Sequence, residues 1–210
     1  WCGGGPGEDS YAPSLTCYPY AQKHKMGGKK DIFCEARNIV VDFARVSGLP
    51  QSQKIRGGGN YLKFERGAIT SQCKKTSRYQ EQNLMNHQRS LFRTFRDNTN
   101  TSPDITVEHT SYLLQRDEDC ENTFHSSADF MNMFLVMNAL GIKPEEQQVI
   151  LFDRHIDGPY LELIEKAYSP KHDVIRAAHY GRNKVLFKHL VFHLESPAGL
   201  IFPKVSGTGP

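Results

Sequence analysis

No apolar run in this chain approaches the roughly twenty residues that a membrane-crossing helix needs. The glycine-rich stretch Gly57-Gly58-Gly59-Asn60 lacks the Gly-Lys-Ser/Thr ending of a phosphate loop, so a turn before Tyr61-Leu62-Lys63-Phe64 is expected there. No His-Glu-x-x-His and no Cys-x-x-Cys occurs, which removes the commonest zinc signatures, and no structural metal is expected. The five cysteines, Cys2, Cys17, Cys34, Cys73 and Cys120, are scattered, a pattern open to one or two disulfides or to none. Charge of one sign is also scarce, since 26 basic and 23 acidic residues leave a formal +3. The basic clusters Lys23-His24-Lys25, Lys29-Lys30 and Lys74-Lys75 have no interleaved aromatics, so they read as solvated loop and no nucleic-acid partner is expected. Tryptophan occurs only as Trp1. The chain opens without an initiator Met or a signal-like leader and reads as a piece of a longer protein.

What is present is a stretch, residues 122–140, that starts polar and ends almost wholly apolar. Steps of three and four put Asn122, His125 and Asp129 on one face of a helix. Asn122 can cap the first turn, and Gly141 and Pro144 close the last. The greasy second half, from Phe130 to Met137, is expected inside a core. From the residues alone, a capping Asn with a His and an Asp that only solvate the first turn explains the same letters equally well. The spacing His125-x-x-x-Asp129 also occurs in a class of acyltransferases, but their Asp-Phe-Gly-Trp-Gly partner segment is absent. Cys120 reads as a small buried cysteine rather than a nucleophile.

Around that helix the chain divides into an irregular N-terminal segment, residues 1–30, and an α/β unit, residues 31–210. A strand is expected over 32–43, and a polar, helix-prone stretch over 72–100. Further strands are expected at 107–114, 149–153, 174–177 and 185–194, with a helix at 161–168. Strands alternating with helices imply a mostly parallel, Rossmann-like sheet with helices on both faces and the 149–153 strand central. Ligands bind such sheets beyond the carboxyl ends of the strands, which points to the start of the long helix and the loop 153–159. Asp153-Arg-His-Ile-Asp157-Gly158 begins like a calcium loop but has Ile164 where a bidentate Glu is required, so a polar turn is the reading.

Asn122-Thr-Phe-His125-Ser-Ser-Ala-Asp129, preceded by Tyr112-Leu113-Leu114, resembles the N-x-x-H-x-x-x-D segment of glycosyltransferase family 61. Upstream, Cys34-Glu35-Ala36-Arg37-Asn38 resembles that family's C-E-x-x-N segment, and the strands ending at Asp153, Ile175 and Phe192 follow in the family's order. The resemblance implies the first, acceptor-side lobe of a two-lobed GT-B type enzyme, with the donor lobe missing. It implies an inverting transferase that moves N-acetylglucosamine or xylose from a UDP-sugar donor to a hydroxyl of a glycoprotein or glycan acceptor. The setting it implies is the endoplasmic reticulum or Golgi lumen, with any membrane anchor outside this stretch. No cofactor is expected on this lobe itself, which by itself is expected to be inactive. His125 and Asp129 are then the catalytic candidates, and Asn122, Asp153 and Arg154 the substrate-binding ones. A non-catalytic α/β binding domain of related fold is the alternative.

Overall fold

The computed structural model describes residues 12–19, 32–48, 62–71, 94–97, 101–116 and 121–193. The helix-prone stretch over 72–93, the 57–60 loop and Cys2, Cys73 and Cys120 lie outside the described residues. The fold is mixed α/β. Strands β1 (Ser14–Pro19), β2 (Ile32–Asp42), β5 (Ile69–Ser71), β6 (Phe95–Asp97), β7 (Ile105–Leu114), β8 (Gln147–Leu151), β9 (Ile175–Arg176) and β10 (Lys184–His193) form one sheet. Its order is β6-β5-β2-β10-β7-β8-β9, with β1 also paired to β2. The short strands β3 (Val46–Ser47) and β4 (Lys63–Phe64) pair separately.

Half of this sheet matches the expected pattern. Strands β10, β7, β8 and β9 are mutually parallel. Helix α1 (Thr123–Leu140) connects β7 to β8, and α2 (Leu161–Tyr168) connects β8 to β9. The other half corrects it. Strand β2 runs antiparallel to β10, β5 and β1, so the sheet is mixed rather than mostly parallel. The central strand is β10, whereas β8 is next to the edge. An apolar run buried on both faces has the same composition whichever way its neighbours run, so strand direction was invisible in the letters.

Three segments differ locally from expectation. Ser14–Pro19 is a strand of the sheet, not part of an irregular tail. Phe95–Asp97 is a strand within the stretch read as helical. The strand at 174–177 shortens to Ile175–Arg176 and gives way to a 3-10 turn, Ala177–Tyr180.

Alternate residues of each inner strand feed two cores. Tyr112, Leu114, Val149, Leu151 and Val191 pack with Met133, Val136 and Met137 of α1 and Ile164 of α2. Leu113, Ile150, Leu190 and Phe192 pack with Phe43, Phe64, Phe152 and Tyr180. Both described α-helices therefore cover the same face. Each large apolar side chain buried this way stabilises the fold by about 1.5–3 kcal/mol.

The alternation of β2 breaks at Asn38, whose φ of 50° is the left-handed conformation that Asn tolerates better than most side chains. The break lets Cys34 and Ala36 share a core with Ile39 and Val41, despite the odd spacing between the pairs. Beside it, the β10–β7 register shifts between Phe187 and His189. The β2–β10 register runs unbroken past Asn38, so the extra residue of this bulge lies on β7, between Val107 and Thr110.

Helix α1 ends as its letters foretold. Gly141 has φ 67°. Its N–H donates to the Asn138 carbonyl, and the Ile142 N–H donates to the Met137 carbonyl, the two bonds of a Schellman cap. Its faces were not foretold. The apolar half exposes Met131 (47 %) and Phe134 (51 %), while Ser126, Asp129 and Asn132 are buried.

Candidate functional site

The site is built where β7 and β8 end. Because β7 enters α1 and α1 returns to the start of β8, the first turn of α1 lies at the carboxyl edge of these parallel strands. Asn122 is exposed just before that turn, and its carbonyl accepts the Ser126 N–H at 3.0 Å. His125 lies in the first turn, but its side chain falls outside the described structure. Asp129 is buried one turn further on. Its charge reaches the wholly buried Tyr112 phenol. Desolvation first, then Asp129 and Tyr168, hold that phenol well above its usual pKa.

Asp153 and Arg154 follow β8 at the same edge. The Asp153 side chain has no exposed surface. Arg116, two residues past the end of β7, grips it with two bonds, Nε to Oδ2 at 2.9 Å and Nη2 to Oδ1 at 2.7 Å. The backbone N–H groups of Arg116 and His155 donate to the same carboxylate at 3.2 and 3.0 Å. Arg116 also donates to the carbonyls of Asp157 and His155, and Arg176 bonds the Asp157 carboxylate at 2.6 Å. A carboxylate so fully engaged holds the loop rather than a cation or a sugar, which removes the calcium-loop reading for a second reason. Arg154 is half-exposed, and its buried Nε has no hydrogen-bond partner among the described residues.

The loop is also tied to α1. The hydroxyls of Tyr160 and Thr123 lie 2.5 Å apart, Tyr160 meets Phe130 edge to face, and Tyr168 donates to the Phe130 carbonyl at 3.0 Å. Asn122, Asp153 and Arg154 thus lie at one edge, held by a braced corner, with Asp129 one turn deeper, near Tyr112. Arg116 was missed from the sequence, although its signal was there. Leu114 pairs with Leu151, so residues two places beyond each, Arg116 and Asp153, fall opposite one another.

A second polar cluster lies across β2, β10 and β7. Glu35 Oε1 is 2.7 Å from Arg37 and 2.9 Å from His189 Nε2, and Tyr18 donates to Oε2 at 3.3 Å. His189 Nδ1 meets Thr110 Oγ1 at 2.9 Å. The His189–Glu35 approach is close but lies off the N–H direction. His189 first, helped by Arg37, holds the Glu35 carboxyl below its usual pKa. Next to it, Cys34 is disulfide-bonded to Cys17 across the β1–β2 pair. The segment Cys34-Glu35-Ala36-Arg37-Asn38 therefore does structural work at three positions: a cross-link, a charge hub and a left-handed kink.

Among the described residues no group of three His, Cys, Asp or Glu side chains is placed to hold a metal ion. No protein-family model and no curated protein matches this chain.

Proposed function

We propose that this chain is the acceptor-side lobe of an inverting glycosyltransferase of the family 61 type, using UDP-N-acetylglucosamine or UDP-xylose. The observation that carries the reading is the braced corner. The start of α1, with Asn122 just before it, His125 in its first turn and Asp129 one turn on, stands beside a loop bearing Arg154, at the edge where α/β sheets take ligands. Inversion requires one base. As an acceptor hydroxyl attacks the anomeric carbon, its proton goes to the base, and the bond to the UDP oxygen breaks with its electron pair leaving on the diphosphate. In this reading His125 is the base and Asp129 orients it, as an acid orients an imidazole in hydrolytic triads. Asn122 binds a sugar hydroxyl, and Arg154 faces the diphosphate. Asp153 acts through Arg116, holding the loop in place.

The Cys17–Cys34 cross-link supports a luminal, oxidising setting. One observation favours the alternative of a non-catalytic binding domain: Asp129 and Asp153 are both buried, and Asp153 is saturated by protein donors. A direct assay separates the two. Residues 1–210 joined to the downstream donor lobe should transfer sugar from one of the two donors with inverted anomeric configuration, read by NMR of the product, whereas residues 1–210 alone should not. Donor binding without transfer by the joined protein would favour the binding domain and overturn the enzymatic reading.

A further inference from the structure

The end of the molecule opposite the candidate site carries a feature that glycosyl transfer does not use. The imidazoles of His109 on β7 and His172 in the α2–β9 loop stack with centroids 4.3 Å apart and planes 18° apart. His109 Nε2 meets Gln148 Oε1 at 3.0 Å, and Gln148 Nε2 donates to the Asp173 carbonyl at 3.0 Å. On its other side the loop is tied by Ser169, whose hydroxyl lies 2.6 Å from the His172 carbonyl and accepts the Val149 N–H at 3.3 Å. Beside the stack lies a polar hollow of about 430 Å³, lined by Glu165, Lys166, Lys171, His172 and Asp173.

We infer that the His109–His172 stack is a pH-operated latch, closed while both rings are neutral and opened when both carry charge. Neutral imidazoles stack favourably, whereas two imidazolium charges this close repel. The charges bearing on His172 are His109 from β7 and Lys171 from its own loop; β8 contributes only the uncharged Gln148. Glu165 and Lys166 of α2 and Asp173 of the loop line the same hollow, a pair of acids against two lysines that leaves no excess of negative charge to neutralise the rings. Desolvation first, then His109 and Lys171, hold His172 below its ordinary value of 6.5. The sign follows: the fold prefers the neutral ring, so this contribution to stability is complete above pH 6.5 and is lost as pH falls below it.

Hydrogen exchange of the Ser169, Lys171, His172 and Asp173 amides at pH 7.5 and 5.5, corrected for intrinsic rates, tests the latch. Loop exchange should rise on the order of threefold at the lower pH, a fraction of the tenfold per pKa unit because the rings are partly solvated. His172→Phe keeps a flat ring on His109 without the charge and should abolish the rise, as should His109→Gln. Exchange that is equal at both pH values, or variants that keep the wild-type rise, would overturn the inference. Ring NMR of the unaltered protein tests the latch without any variant: the His172 imidazole should titrate below its ordinary 6.5, and titration at the ordinary value contradicts the latch.

Discussion

Replacing Arg116 by Met tests the brace on which the site rests. The Arg116 and Asp153 side chains are 6 % and 0 % exposed, so neither charge has water to fall back on. Removing one partner of a buried pair costs about 3–5 kcal/mol. Arg116→Met belongs at the low end, about 3 kcal/mol, because water-free Asp153 is not left wholly alone. It keeps the N–H donors of residues 116 and 155, and Arg176 lies 3.9 Å away. Asp153→Leu belongs nearer 5 kcal/mol, since it strands a guanidinium against the carbonyls of Asp157 and His155. Changing both together replaces a charge pair by apolar groups, so the double variant should be more stable than the sum of the singles by about 2 kcal/mol or more. Urea unfolding followed by circular dichroism measures each variant. For a chain of this size, Arg116→Met should lower Tm by about 6–12 °C. A loss under about 1 kcal/mol, the range of exposed pairs, or strict additivity in the double variant, would refute the reasoning.

Three further outcomes are expected. Asn38→Gly should be nearly neutral, whereas Asn38→Val should cost about 1–2 kcal/mol by forcing a β-branched residue into the left-handed region; equal urea midpoints for the two would contradict the left-handed kink. Glu35 has a depressed pKa through His189 and then Arg37, so it contributes stability present above about pH 4.5 and lost as pH falls below that. Glu35→Gln should therefore flatten the stability–pH curve on the acid side, and an unchanged curve would remove the hub's role. The Cys17–Cys34 bond spans 17 residues, and its loss in the double Ser variant should cost about 3 kcal/mol. Thiol counting on protein from an oxidising compartment should find fewer than five free thiols, and five would count against the bond.

What could be read from the letters was what local chemistry dictates. The periodicity, the Asn before the first turn and the Gly after the last located α1 to within a residue, and short apolar runs located β2, β7, β8, α2 and β10. Strand direction could not be read, because β2 buries the same residue types antiparallel as it would parallel. Burial on α1 could not be read from composition either. Ser126, Asp129 and Asn132 face inward while Met131 and Phe134 face out, which reverses the simple rule and is decided by what packs on the helix. The candidate site was half legible. Its edge followed from strand–helix alternation, but the Arg116–Asp153 brace depends on the β7–β8 register, a long-range property.

If the first two turns of α1 perform chemistry, turnover is the measurement that shows it most directly. In the protein that includes the donor lobe, turnover of a UDP-sugar by His125→Ala and Asp129→Asn should be compared with wild type, beside the Tm of each. Loss of a positioned base or its orienting acid should cut turnover by about 10²–10⁴, with Tm changed by no more than a few degrees. Transfer at near wild-type rate by both variants, or collapse of the fold in both, would contradict the account and leave the pair as a helix cap.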